Sequence, residues 1–120
     1  MSYEEFVREL TAASSNVQAT YQAVVNDWRP ESPPVTVLFG YLGDQIADDF
    51  SHVGIDVNRR IFSLVEQAME SRDQRLLTAT ATGLIEALAN RAGRTRGQWE
   101  QIVPLLGPRS LHHAEAWLGF

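Results

Sequence analysis

The sequence predicts an all-α fold, a single-domain bundle of six or seven helices spanning residues 1–120. Three observations predict it. Apolar residues recur at spacings of three and four through most of the chain, residues that cap or stop helices fall between those stretches, and no convincing alternation of strand type appears. A chain of 120 residues with 44% apolar and 21% charged side chains has the size and composition of one compact globule.

Ser2-Tyr3-Glu4-Glu5 has the form of a capping box, and Tyr3, Phe6, Val7 and Leu10 then share one helical face. A second stripe after Ser15 comprises Val17, Tyr21, Val24, Val25 and Trp28, and the proline-rich turn from Arg29 to Pro34 ends it. From Val35, the residues Leu38, Phe39, Leu42, Ile46, Phe50 and Val53 keep the helical period up to a stop at Gly54. Asp56 is placed to cap the next helix, with the stripe Val57, Ile61, Leu64, Val65, Ala68 and Met69, and Asp73 to cap another.

The stretch LLTATATGLIEAL, residues 76–88, alternates Thr and Ala as a strand edge would. Leu77, Ala81, Leu84, Ile85 and Leu88 nevertheless carry a helical period through it, and Gly83 marks close approach of a neighbouring backbone. Arg91 and Arg94 suit a helix C-terminus, with Gly93 as the stop. Thr95-Arg96-Gly97-Gln98 reads as a second capping box before Trp99, Ile102 and Val103. After Gly107-Pro108, Ser110 is expected to cap a last helix bearing Leu111, Ala114, Trp117 and Leu118. Phe39, Ile61, Leu84, Trp99 and Trp117 are the expected core anchors.

Composition narrows the chemistry. Cysteine is absent, which removes disulfides, thiol nucleophiles and thiolate metal sites. All ten cationic side chains are Arg, so Schiff-base chemistry and a phosphate-loop lysine are removed as well. A net charge of −5 argues against nucleic acid and anionic membranes as partners and favours a basic protein surface. The acidic opening MSYEEFVREL is unlike a secretory signal, and a soluble cytoplasmic protein is expected.

Candidate sites are few. His112 and His113 are adjacent and point apart on a helix, and no Glu-x-x-His pair of the di-iron type occurs, so no metal and no cofactor is expected. Glu66 and Glu86 lie in apolar helices and offer either an acid–base pair or carboxylates bound to Arg59, Arg60 or a helix N-terminus. Arg91, Arg94 and Arg96 read as complements to a helix end. The stretch GYLGDQIADDFSHVGID, residues 40–56, holds Asp44, Asp48, Asp49 and Asp56, with no Lys or Arg between Glu31 and Asp56. On a helix aligned by Leu38, Leu42, Ile46 and Phe50, Asp44 and Asp48 face outward while Asp49 sits near the apolar stripe and calls for an internal partner. Asp44, Asp48 and Asp56 are therefore the expected partner-facing residues, the alternative being a merely solvated face.

The pieces LFGYLGDQI, IFSLVEQAMESRD with ATGLIEAL, and LLGPRSLHHAEAW, in that order, resemble a family of small helical bacterial proteins, largely uncharacterised, with members associated with immunity to polymorphic toxins. The resemblance covers residues 35–118 and supplies no catalytic residue. It implies a noncatalytic inhibitor that binds and blocks a cognate toxin domain. A helical regulatory or adaptor module, and a small enzyme built on Glu66, Glu86 or His113, are the competing expectations.

Overall fold

The computed structural model describes residues 1–119, and those residues form helices and turns with no strand. Helices α1 (Tyr3–Ala13), α2 (Ser15–Trp28), α3 (Val35–Asp49) and α4 (Ile55–Met69) are regular. Helix α5 is continuous but has three parts: Gln74–Thr78, a π-helical stretch Ala79–Ile85, and Glu86–Gly93. Helix α6 (Gln98–Ile102) runs into a 3-10 turn, Val103–Leu105, and α7 (Pro108–Leu118) follows. This is the all-α bundle that the periodicity predicts, at the seven-helix end of the range.

Two of the expected caps form. The Ser2 hydroxyl accepts the Glu5 N–H, and Asp73 Oδ1 accepts the N–H groups of Arg75 and Leu76. The other oxygen of Asp73 accepts the Tyr3 N–H at 2.8 Å, so a single carboxylate caps α5 and α1 together. Those N–H donors, Tyr3 first, hold the Asp73 carboxyl below the usual carboxylate range.

Other boundaries differ from expectation. Helix α3 ends at Asp49 rather than near Gly54: Phe50 keeps helical angles, the His52 and Val53 N–H groups both turn back to the Asp49 carbonyl, and the Phe50 carbonyl accepts Asn58 Nδ2 at 3.0 Å. Gly54 caps α4 and Asp56 lies in the first turn, where its charge complements the helix dipole without a cap bond. Ser14 caps α2, its hydroxyl accepting the Val17 N–H. Gly97 precedes α6 with φ of 82°, a left-handed conformation that suits glycine, and the Thr95 capping box does not form. Gly107 occupies the cap position of α7, and Ser110, buried one turn in, bonds to Glu66 instead.

The core is one continuous cluster. Phe6, Phe39, Phe62, Leu84, Leu88 and Ile102 are fully buried, and Ile61 and Trp99 nearly so. Trp117, an expected core anchor, is 49% exposed. Its indole Nε1 donates to Asn90 Oδ1 at 3.1 Å, which lays it across the outside of α5.

Helix α3 crosses α5 with almost no side chain between them. A Cβ added at Gly83 would lie 2.7 Å from the Thr36 carbonyl oxygen and 2.9 Å from Phe39 Cβ, so the close approach read from Gly83 is present. Gly43 is the reciprocal position, its missing Cβ facing the Leu84 backbone and Ala87 Cβ. The π-helical stretch sits at this crossing and has a visible cause. Leu76, Thr80, Leu84, Leu88 and Ala92 are all fully buried at a constant spacing of four. On a regular α-helix that spacing drifts by about 40° per step and would carry Ala92 away from the core. The wider π turn, closing i to i+5, absorbs the drift.

Candidate functional site

The outer face of α3 carries Val37, Tyr41, Asp44 and Asp48 at spacings of four, three and four, opposite the buried Leu38, Phe39, Leu42 and Ile46. Gly40 lies in that face and a Cβ there would meet nothing within 4 Å. The bare backbone at Gly40 and the short Ala87 of α5 leave a shallow groove of about 300 Å³, walled by Val37, Tyr41 and Asp44. Val37 is 40% and Tyr41 52% exposed, two large apolar side chains kept in water beside a carboxylate.

The two outward aspartates have different situations. Asp48 is held by Arg91 through a two-point pair, Nε to Oδ1 at 2.9 Å and Nη2 to Oδ2 at 3.0 Å. The segment that has no base of its own therefore receives one from α5, 43 residues away. Arg91 is also in the last turn of the Glu86–Gly93 part, so the helix-end role holds alongside the pairing. Asp44, half-buried, makes no hydrogen bond or ion pair among the described residues. Burial pushes its carboxyl pKa up, Arg91 pulls it down, and the charge of Asp48 adds to the rise. Asp56 is exposed on α4 and shares no hydrogen bond with either of the others among the described residues.

Asp49 has the internal partners its position calls for. Its Oδ1 accepts Gln45 Nε2 at 2.9 Å and Asn16 Nδ2 at 3.2 Å, and Gln45 accepts the Thr20 hydroxyl, which stitches α2 to α3. Its Oδ2 is buried without a hydrogen-bond partner.

The two glutamates set in apolar helices are bound by α7. Glu66 accepts the Arg109 N–H at 3.1 Å, the Ser110 N–H at 3.0 Å and the Ser110 hydroxyl at 2.8 Å. Of the partners expected for Glu66, the helix N-terminus is the one observed, while Arg60 pairs with Glu9 at 2.7 Å. Glu86 Oε2 lies 2.9 Å from His113 Nε2. Glu66, Glu86 and Asn90 thus meet Ser110, His113 and Trp117 along the length of α7.

Among the described residues no group of three or more His, Asp or Glu side chains is arranged to hold a metal ion, and no helix is long and apolar enough to cross a membrane. The groove residues Val37, Gly40, Tyr41 and Ala87 were not among the expected site residues. A signal for the first three was present: once Leu38 and Leu42 face inward, Val37 and Tyr41 must face out with Gly40 beside them.

Fold and site together define a small helical globule that carries, on one central helix, a shallow groove of mixed apolar and acidic character. The chain belongs to the family described as Domain of unknown function (DUF7674), whose profile matches residues 7–119. The matched span reaches from α1 through α7. No curated protein and no solved structure matches the chain.

Proposed function

We propose that the protein is a noncatalytic immunity protein that acts in the bacterial cytoplasm, where it binds a cognate toxin domain and blocks it through the outer face of α3. One observation carries the reading: Tyr41 and Val37 stay exposed beside Asp44, a half-buried carboxylate with no partner among the described residues. Exposed aromatic side chains are the usual anchors of protein interfaces, and a partly desolvated charge without a mate favours a complementary charge from outside. The partner is therefore a basic protein surface, in keeping with the net charge of −5. Asp48 contributes less directly than Asp44, because Arg91 already satisfies it. Asp56 lies on another helix and supports long-range attraction.

The test is to identify a toxin domain encoded next to this gene and to measure bacterial growth during its induced expression, with and without this chain. Neutralisation by the wild type, lost in Tyr41→Ala/Asp44→Arg with an unchanged melt, is the expected result. Failure of the wild type to protect overturns the immunity reading. Protection by the double variant equal to that of the wild type moves the interface away from α3.

A further inference from the structure

The groove on α3 has a shape and chemistry that select one kind of side chain, and the inference drawn from it rests on the reading just given. We infer that the groove seats an arginine side chain of the partner, its aliphatic stem over Gly40 and Ala87 and its guanidinium between the Tyr41 ring and the Asp44 carboxylate. Four features of the site converge on that occupant.

The floor is bare: nothing stands within 4 Å of where a Gly40 Cβ would be, and Ala87 adds only a methyl group. A long unbranched stem is accommodated there, with Val37 as its apolar wall. Asp44 also lines the groove, and it has no hydrogen bond or ion pair among the described residues. An apolar occupant would bury that carboxylate unpaired, and an anion would be repelled by it. Tyr41 presents an exposed aromatic ring to the same groove, which favours a planar guanidinium able to stack and to bond a carboxylate at two points over the compact ammonium of lysine.

The protein's own cations do not already fill the position. Arg91 is engaged by Asp48. Arg94 is close enough to influence Asp44 electrostatically yet bonds to it at no point. The same α3–α5 border thus shows one aspartate already paired with an arginine and a second one open.

The experiment is a nuclear magnetic resonance titration of the full chain with N-acetyl-arginine amide, and in parallel with N-acetyl-citrulline amide, which keeps the shape and lacks the charge. Saturable shifts at the amides of Gly40, Tyr41, Asp44 and Ala87 with the arginine probe, at least tenfold weaker with citrulline, are the expected result. Gly40→Leu fills the groove from a position with free space, so it should fold normally and lose the response; Asp44→Asn should lose it too. Equal shifts with both probes, no saturable shift at all, or an undiminished response in Gly40→Leu overturns the inference. Toxin neutralisation separates this inference from the broader reading. Full protection by Gly40→Leu and Asp44→Asn removes the arginine slot and leaves immunity standing, whereas a wild type that titrates but does not protect removes the toxin as the source of the arginine.

Discussion

Replacing Gly43 by Ala tests the helix crossing on which the bundle is built, and Gly40, one turn earlier on the same helix, supplies the control. A methyl group at Gly43 would fall inside contact distance of the Leu84 carbonyl oxygen, 3.1 Å from the Leu84 carbonyl carbon and 3.2 Å from Ala87 Cβ. The first two are backbone atoms and cannot rotate aside, so α3 and α5 must separate. Overpacking of this kind costs about 1–3 kcal/mol. Alanine is favoured over glycine within a helix by about 1 kcal/mol, which offsets part of that cost at Gly43. At Gly40 the added methyl meets nothing within 4 Å, and the propensity gain stands alone. Because the propensity gain is common to both, the difference between the variants isolates the packing cost. Urea unfolding followed by circular dichroism should therefore place Gly43→Ala about 1–3 kcal/mol below Gly40→Ala, or roughly 4–12 °C apart in thermal midpoint. Gly43→Ala matching Gly40→Ala within about 0.5 kcal/mol would refute the close crossing.

Two further substitutions probe the polar clasps. Glu66→Ala removes the carboxylate that accepts the Arg109 and Ser110 N–H groups and the Ser110 hydroxyl, and should cost about 1.5–3 kcal/mol in urea unfolding, with Glu66→Gln intermediate. Equal stability of Glu66→Ala and wild type would show that α7 is seated by apolar contact alone. Asp73 has a depressed carboxyl pKa, so the stability it lends is complete above its unfolded value near pH 4 and is lost as pH falls through the lower folded value. The wild type should consequently lose thermal midpoint more steeply than Asp73→Asn below about pH 4, and parallel curves would dissociate Asp73 from the two helix starts.

The parts of this architecture that sequence reveals are those set by residues within one or two turns of each other. The stripes of α3 and α4, the caps at Ser2 and Asp73, and the tight contact at Gly83 all follow from local spacing and side-chain size. What escaped depends on partners distant along the chain. Asp48 reads as unbalanced until α5 brings Arg91 to it, and Ser110 reads as a cap until Glu66 takes that role from α4. Trp117 shows the same limit in apolar form: its spacing from Ala114 fits a core stripe, yet α7 buries only Ser110 and Ala114, and the indole bridges to Asn90 at the rim. The α5 period is legible at Leu84, Ile85 and Leu88, all fully buried, and is displaced in phase only before them. Leu77 and Ala81 are only half-buried, while Leu76 and Thr80 point fully inward, because a strict spacing of four belongs to a π-widened helix rather than to the 3.6-residue period.

That widened stretch governs where the chain tolerates changes in length. Beyond it, Glu86, Asn90 and Arg91 each meet a different neighbour, namely His113, Trp117 and Asp48. Deleting one residue between Ala79 and Ile85 would let the helix relax to ordinary α geometry with its backbone bonds intact, and the tighter turns would supply most of the rotation that the lost residue carried. The helix would survive and all three attachments would keep their bearing. The turns at residues 29–34 and 94–97 impose no phase at all, so longer insertions and deletions accumulating over evolutionary divergence belong there, while the span 79–85 accommodates the loss of one residue and a second loss would turn all three attachments away together.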